Sequence, residues 1–553
     1  MRPPAPIPPP SPLTSCFRLL ALVAAFGLIR VEAAAPETGK EKLRTLIRLP
    51  ALHMQAGFGF GSVGGFKLLT ERRDFPAEIA ALRRQVAAAQ ADGALQFQLG
   101  KLLREAGDAP GAVAAFARAG ELHRKRLETQ PANGPLLTAL AEALAETDKT
   151  AEAESKFREA LRVAPKEWRG WFSFAAFASD QASVWLVGSL DRKLAGVEQL
   201  VAHLAKHRPS PEQVRRSQEW MREAKAAFDR AAELAPGEPE VFQRRGLNTG
   251  MAAFLANCIA WVSGESELPN LAKNLYSAEA VPDFKKAARL APQNYRVNAA
   301  ALLFELGVNI FALPEAQRGG AMWNVLPEPA RQSVGFGLSR LEQIAEGPDA
   351  REAAGAWEML GLFQLWVQGD PRRAAASCRR AVALDPTRAQ AWDAVIGLLA
   401  AAGNDEELLK ACETRVRHRD TALNRLFLAK TYFRLQREEQ AAEQVKLALQ
   451  RAPDDYIAQL ARAALLLRRP RDPAALNEAG RILRQAQARR EAFAKAGQEE
   501  EQVRLTITDL AILSAAYAAF EDDFTSARQL VKQVLAADPN HAYAKEIQTA
   551  LGR

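Results

Sequence analysis

The chain has 553 residues, 48% apolar and 25% charged, with a formal charge of +8 and four cysteines. That length exceeds the roughly 250 to 300 residues at which one core stops growing, so a single ordinary globular domain is excluded and a stack of repeats or several domains is required. The charge excludes a dense polybasic nucleic-acid surface: Arg2, Arg18 and Arg30 against Glu32 supply +2 of it, and later charges alternate in sign, as in Arg437, Glu438, Glu439 and Lys446, which reads as a solvated helix face.

In chain order, the first predicted element is a targeting signal. Arg2 and Arg18 precede an apolar run from Leu19 to Ile29, and the small residues Ala33, Ala34 and Ala35 follow. This pattern predicts a Sec-type signal peptide over residues 1–35 and an exported chain, periplasmic or in the cell envelope. The run is shorter than the roughly 20 residues of a membrane span, and no later segment is apolar enough to be one, so no transmembrane span is expected after cleavage. Cys16 leaves with the signal. Cys258, Cys378 and Cys412 have no C-x-x-C spacing and are odd in number, so they read as buried packing residues rather than a disulfide framework.

Residues 36–92 form an N-terminal segment and a leading helix. Glu37 to Phe75 fall outside any repeat, and the stretch AGFGFGSVGGF reads as a turn or short extended piece, a candidate docking element. Repeats with two long insertions are expected over 93–346, and further repeats over 347–553. From Gly134 to Pro165 the segment places Leu137, Leu140, Ala141 and Leu144, then Ala153, Phe157 and Ala160, before a closing proline. Large residues at these positions fill the space between two antiparallel helices, small ones allow close approach, and proline ends the second helix.

Further copies carry Leu99, Gly100, Leu103, Ala112, Phe116 and Ala119; Trp357, Leu360, Gly361, Ala374, Cys378, Ala381 and Pro386; Trp392, Val395, Ile396 and Leu399 with Cys412; Leu428, Ala429, Tyr432, Ala441, Val445, Ala448 and Pro453; and Ala515, Ala518, Ala527, Val531 and Pro539. Two copies are interrupted. Trp171, Phe174 and Ala175 are separated from Ala224, Phe228, Ala231 and Pro236, and Gly246 from Ala280, Phe284, Ala287 and Pro292; Gln293 to Glu346 reads as a degenerate unit. The pattern resembles the tetratricopeptide repeat, W-x-x-L-G-x-x-Y, A-x-x-x-F, P, recurring about every 34 residues. The resemblance implies an all-α fold, an α-solenoid wound as a right-handed superhelix of helix-turn-helix repeats with helical insertions.

Three motif-like clusters invite chemistry. Gly59, Gly61 and Gly64 match G-x-G-x-x-G but lack a βαβ context. His418, Arg419, Asp420 and Asn424 imitate a kinase catalytic loop with the wrong spacing and no D-F-G. His203 and His207 share a helix face, but Leu204 stands where a zinc peptidase needs Glu. No catalytic, metal or cofactor set is therefore nominated.

What the resemblance implies for function is protein or peptide binding along the first helix of each unit. By phase this picks out Lys101, Arg104, Thr138, Glu142, Gln243, Glu358, Asp393, Lys430 and Arg434. The expected function is a non-enzymatic interaction scaffold of the cell envelope. The alternatives are a docking subunit of a secretion, polysaccharide or cell-wall assembly, using the insertions that carry Trp185 and Trp261, and a sugar-binding protein or enzyme using Trp220, Trp261 and Trp323.

Overall fold

The computed structural model describes residues 39–50, 52, 75–187, 204, 207–265, 276–313, 322–469, 472–495 and 506–552. The signal sequence, His53, His203 and the three glycines of the G-x-G-x-x-G match lie outside these. The described residues form α-helices and short 3-10 or π turns, with no strand among them. They divide into two compact units: residues 58–370, and residues 371–553 together with the N-terminal 1–57.

The first helix, α1 (Gly39–Leu46), belongs to the second of these units. In the 58–370 unit, α2 (Phe75–Ala88) leads into helix pairs. Packed partners are α3 (Gly93–Glu105) with α4 (Ala109–Thr129), α5 (Gly134–Ala145) with α6 (Thr150–Val163), and α7 (Trp168–Val187) with α8 (Pro211–Leu234). They continue with α9 (Pro239–Val262) and α10 (Val281–Leu290), then α11 (Tyr295–Ala312) and α12 (Glu328–Ala345), before α13 (Ala350–Phe363) runs into a π-turn over Gln364–Gln368. Each second helix also packs on the next first helix, which is how a unit with only one apolar face completes its core.

The 371–553 unit contains α14 (Pro371–Leu384), then α15 (Ala389–Ala402) with α16 (Asp405–His418) and α17 (Ala422–Arg434) with α18 (Glu438–Arg451). Next come α19 (Tyr456–Arg468) with α20 (Pro473–Lys495), α21 (Ile507–Phe520) with α22 (Phe524–Ala537), and a final α23 (Ala542–Ala550). The division falls at Asp370 and Pro371, between the two helices of the Trp357 copy. The pair α19 and α20 is a repeat whose pattern sequence reading did not single out.

Two local devices recur. The turn from first to second helix places one residue in the left-handed region, at Gly107, Asp148, Gly403, Gln436 and Asp522, and the next residue starts the second helix. There Asp108, Asn404 and Asp523 accept from the backbone N–H three residues on, whereas Lys149 and Arg437 offer no such cap. At the return turn, a side-chain N–H of the next first helix donates to the carbonyl of the closing proline: Trp171 to Pro165 at 3.0 Å, Trp392 to Pro386 at 2.9 Å and Gln459 to Pro453 at 2.8 Å. Proline stops the helix, and the side chain satisfies a carbonyl the helix leaves free.

The interruption after Trp171 lengthens a hairpin rather than separating its helices. α7 reaches 20 residues and α8 24, and the extension of α8 buries Trp220 against Phe174 and Phe177, with centroids 6.4 and 5.7 Å apart. Trp220 is thus core, not a sugar platform. Trp261 and Trp323 are partly buried on their clusters, Trp323 edge-on to Phe363, and Trp185 is the exposed one of the four. No helix among the described residues is long and apolar enough to cross a membrane.

A candidate peptide-binding groove

The positions that define the repeat are the positions most deeply buried. Leu137, Ala141, Ala153, Phe157 and Ala160 expose 2% or less, as do Ala374, Cys378 and Ala381, and Ala429, Ala441 and Ala448. Small residues sit where helices approach most closely, and aromatic or aliphatic ones fill the seam between them, as the 34-residue pattern requires. The repeats are paired helices with the burial that the pattern predicts. Cys258, Cys378 and Cys412 are buried and form no disulfide among the described residues, and burial pushes Cys258 up to about 12 and Cys412 to about 11.

No protein-family model matches the chain, and no curated protein matches it. Solved structures that it is similar to include the yeast Tom70 crystal structure (14% identity, 86% of this chain and 90% of that one, TM-score 0.32) and the APC/C hetero-tetramer Cut9-Hcn1 (12%, 87% and 93%, 0.32). Another is Naa15/Naa10 bound to HypK-THB (13%, 86% and 88%, 0.30). At that level of superposition the likeness carries no functional argument.

The sequence-derived groove residues divide into three kinds. Thr138, Glu358 and Asp393 are buried at 6%, 6% and 1%, so they face packing rather than open solvent; Asp393 pairs with the equally buried Arg415 at 2.6 Å. A one-residue phase error suffices to turn a first-helix side chain from the open face into the seam, because neighbouring residues on a helix point about 100° apart. The second kind forms a polar ladder along the first helices of the 58–370 unit. Arg104 of α3 pairs with Glu146 at the end of α5, while Ser173 of α7 donates to Glu142 of α5 at 2.6 Å. Burial raises the Glu142 carboxyl, against the hydrogen bond from Ser173 and the nearby Lys101 cation. Lys101 is exposed beside the Phe97 ring, and Gln243 is half-buried.

The third kind, Lys430 and Arg434, lies on α17. Arg434 is held within the repeats, to Asp405 at 2.7 Å and the Ala400 carbonyl at 2.7 Å. Lys430 instead reaches a distant part of the chain, donating to the Pro50 carbonyl at 3.5 Å. Burial holds its ammonium below the usual range, with Arg48 adding to that and Asp509 opposing it.

Pro50 belongs to a segment, residues 39–50, that crosses the first helices of the last repeats. α1 packs on α19, α21 and α23. Leu43, Ile47 and Leu49, exposed by 1%, 1% and 7%, join the same apolar cluster as Leu460, Leu510, Leu513 and Ile547. Polar contacts fix the direction. Lys40 donates to the Phe520 carbonyl at 3.2 Å, at the C-terminal end of α21, and pairs with Asp522 at 2.6 Å. At the other end, Arg468 of α19 donates to the carbonyls of Arg44, Thr45 and Ile47 at 3.0, 3.2 and 3.1 Å. Arg44 and Thr45 belong to the last turn of α1, the Arg44 carbonyl also accepting from the Ile47 amide at 3.2 Å, and Ile47 follows the helix, so Arg468 caps the C-terminal end of α1 from another repeat.

Beyond the helix the chain leaves regular secondary structure. The Arg48 amide donates to the Tyr543 hydroxyl at 3.1 Å, and its guanidinium pairs with Glu546 at 2.5 Å and covers the Tyr543 ring at 4.6 Å. Burial pushes the Tyr543 hydroxyl well above its ordinary value. Three buried aliphatic side chains contribute about 5–9 kcal/mol and a handful of hydrogen bonds about 1 kcal/mol each. Ordering about a dozen residues costs about 1 kcal/mol apiece or somewhat more. The two sides are of similar size, leaving a surplus of about 3 kcal/mol, enough to keep the segment seated and small enough for it to be displaced.

Repeat phase points to Lys430, whereas Arg468, Tyr543 and α1 fall outside what repeat phase picks out. The signal for α1 was present in KEKLRTLIRL, where Leu43 and Ile47 stand four apart among cations. Of the motif-like clusters, the one around His418, Arg419, Asp420 and Asn424 resolves into repeat packing. Asp420 accepts from Arg425 Nε and Nη2 at 2.7 and 2.9 Å and pairs with Arg451, and Asn424 donates to the Arg419 carbonyl at 2.6 Å. Among the described residues no group of three or more His, Cys, Asp or Glu side chains is placed to hold a metal ion.

Proposed function

We propose that this chain is a protein-interaction scaffold that binds helical peptide segments along the first helices of its C-terminal repeats, and that it works in the cell envelope after export. The observation that carries the reading is the seating of residues 39–50: an amphipathic stretch of polypeptide lies across α17, α19, α21 and α23, its apolar side chains buried and its helix end capped by Arg468. A surface that orders one such segment has the apolar floor, the carbonyl-binding cations and the acidic rim needed to order another. The envelope location rests on the N-terminal pattern of cations, an apolar run and small residues.

Two experiments bear on it. N-terminal sequencing of the protein recovered from the envelope fraction should begin near residue 36; recovery of an uncleaved chain from the cytosol removes the export part. For binding, the chain from residue 36 is used as bait beside a variant carrying Arg468→Glu and Lys430→Glu. Proteins that the first retains and the second releases are then purified and titrated directly. Direct binding that weakens at least tenfold in the variant is expected, and a binding set identical for both baits rejects the groove.

A further inference from the structure

We propose that residues 39–50 are an intramolecular ligand that closes this groove, and that the groove's external partner is a protein segment of the same chemistry: a short basic amphipathic helix, then a non-helical stretch, that competes with the segment for the site. The inference rests on the reading of the C-terminal first helices as a peptide-binding surface and adds to it both the recognition pattern and the means of regulation.

The contacts spell out the pattern. The segment presents an apolar residue at Leu43 and another four residues on at Ile47, just past the helix end, with a third at Leu49. A cation three residues before the first apolar position, Lys40, meets the carbonyl end of α21 and Asp522. A second cation, Arg48, meets Glu546 and the face of Tyr543. Between them Arg44 lies over the Phe520 ring at 5.0 Å. The segment from Gly39 to Pro50 holds Lys40, Lys42, Arg44 and Arg48 against Glu41, and the acidic groups it meets directly, Asp522 and Glu546, lie at its two ends. An incoming segment must match this alternation, because an apolar helix with acidic flanks would set like charges against both ends.

The contacts that hold the backbone do not depend on sequence. Arg468 and Lys430 donate to main-chain carbonyls of residues 44, 45, 47 and 50, which any helix with a non-helical exit presents. The groove therefore combines a general backbone clamp with a specific charge and apolar pattern, as expected of a site that accepts more than one segment of one class. Because the segment is joined to the rest of the chain, it competes at an effective concentration on the order of millimolar, so an untethered competitor of micromolar intrinsic affinity is excluded by about 100-fold or more until it outcompetes the segment or the segment is drawn away.

The test uses the chain from residue 36 and a fluorescent synthetic peptide of residues 38–52. In the variant Leu43→Asp/Ile47→Asp the tethered segment loses its apolar anchors, and the peptide should bind about 100-fold more tightly than to the wild type. Adding Arg468→Ala to that variant should weaken the peptide again. The milder Arg48→Glu, which sets like charge against Glu546, should give the same order with a smaller gap and guards against misfolding of the double variant.

Equal binding to wild type and variant overturns closure by the segment while leaving the groove as a binding surface. Absence of binding to every variant that keeps its helical circular dichroism overturns the groove itself. A wild type that elutes as a dimer, and turns monomeric on Leu43→Asp/Ile47→Asp, overturns the intramolecular arrangement in favour of exchange between two copies.

Discussion

Asp420 illustrates what a polar cluster does in a repeat linker. Hydrogen bonds from Arg425 first, and then from Arg451, hold its carboxyl at about 2 against the opposing effect of burial. A carboxylate whose folded value lies below its ordinary 3.8 stabilises the fold above that ordinary value, and the contribution is lost as pH falls from near 4 towards 2. Asp420→Asn should therefore lower stability at pH 6 by about 1 kcal/mol, since the pair is partly exposed. Thermal melts followed by circular dichroism should show the gap to wild type closing below about pH 3; a gap that persists there would assign the effect to shape rather than charge. Two residues away from the histidine that makes this cluster resemble a catalytic loop, the chemistry is a clasp between α17, α18 and the turn before them.

At the scale of elements, the turn between first and second helices is a repeated solution executed with unequal quality. Gly403 followed by Asn404 has both favourable features: a residue without Cβ in the left-handed region, with φ of 72°, and a side chain that caps the next helix. Gln436 adopts the same region at φ 60°, and Arg437 caps nothing. A left-handed residue with a side chain costs about 1 kcal/mol relative to glycine, and a missing cap about the same. Replacing Gln436→Gly and Arg437→Asp together should raise stability by about 1–2 kcal/mol, measured by chemical denaturation. No change would mean that Arg437 makes a compensating contribution that its replacement removes.

The helix α1 is the opposite case. Its eight residues are too few to be stable alone, so it exists as a helix because Arg468 caps it and the first helices receive Leu43 and Ile47. Its contacts join residues hundreds of positions apart in sequence. A pattern search confined to 34-residue windows has no means of pairing them.

For the molecule as a whole, stacking of neighbours implies that damage stays local. Phe157, fully buried, touches Phe174 and Phe177 with centroids 6.0 and 5.2 Å away, and its cluster includes residues of α5 to α9. Phe157→Ala should cost about 3–5 kcal/mol locally. In hydrogen exchange, amides of α5 to α8 should lose protection while those of α11 and α12 keep theirs; uniform loss across the 58–370 unit would show a single cooperative body instead.

The sequence by itself determined the all-α repeat, because its information is local: the period of large and small residues, the prolines that stop second helices, and the capping residues all act within one hairpin or between adjacent ones. It also marked the thiols as packing residues and the charge as dispersed. Tertiary structure alone decided three things. It turned Thr138, Glu358 and Asp393 into buried positions, since an open or closed helix face depends on the exact rotation of each helix against its neighbours. It lengthened α7 and α8 on either side of the interruption, with Trp220 inside. And it laid residues 39–50 across repeats some four hundred positions away, because a short amphipathic segment carries an apolar face but no information about which surface will cover it until that surface has been assembled.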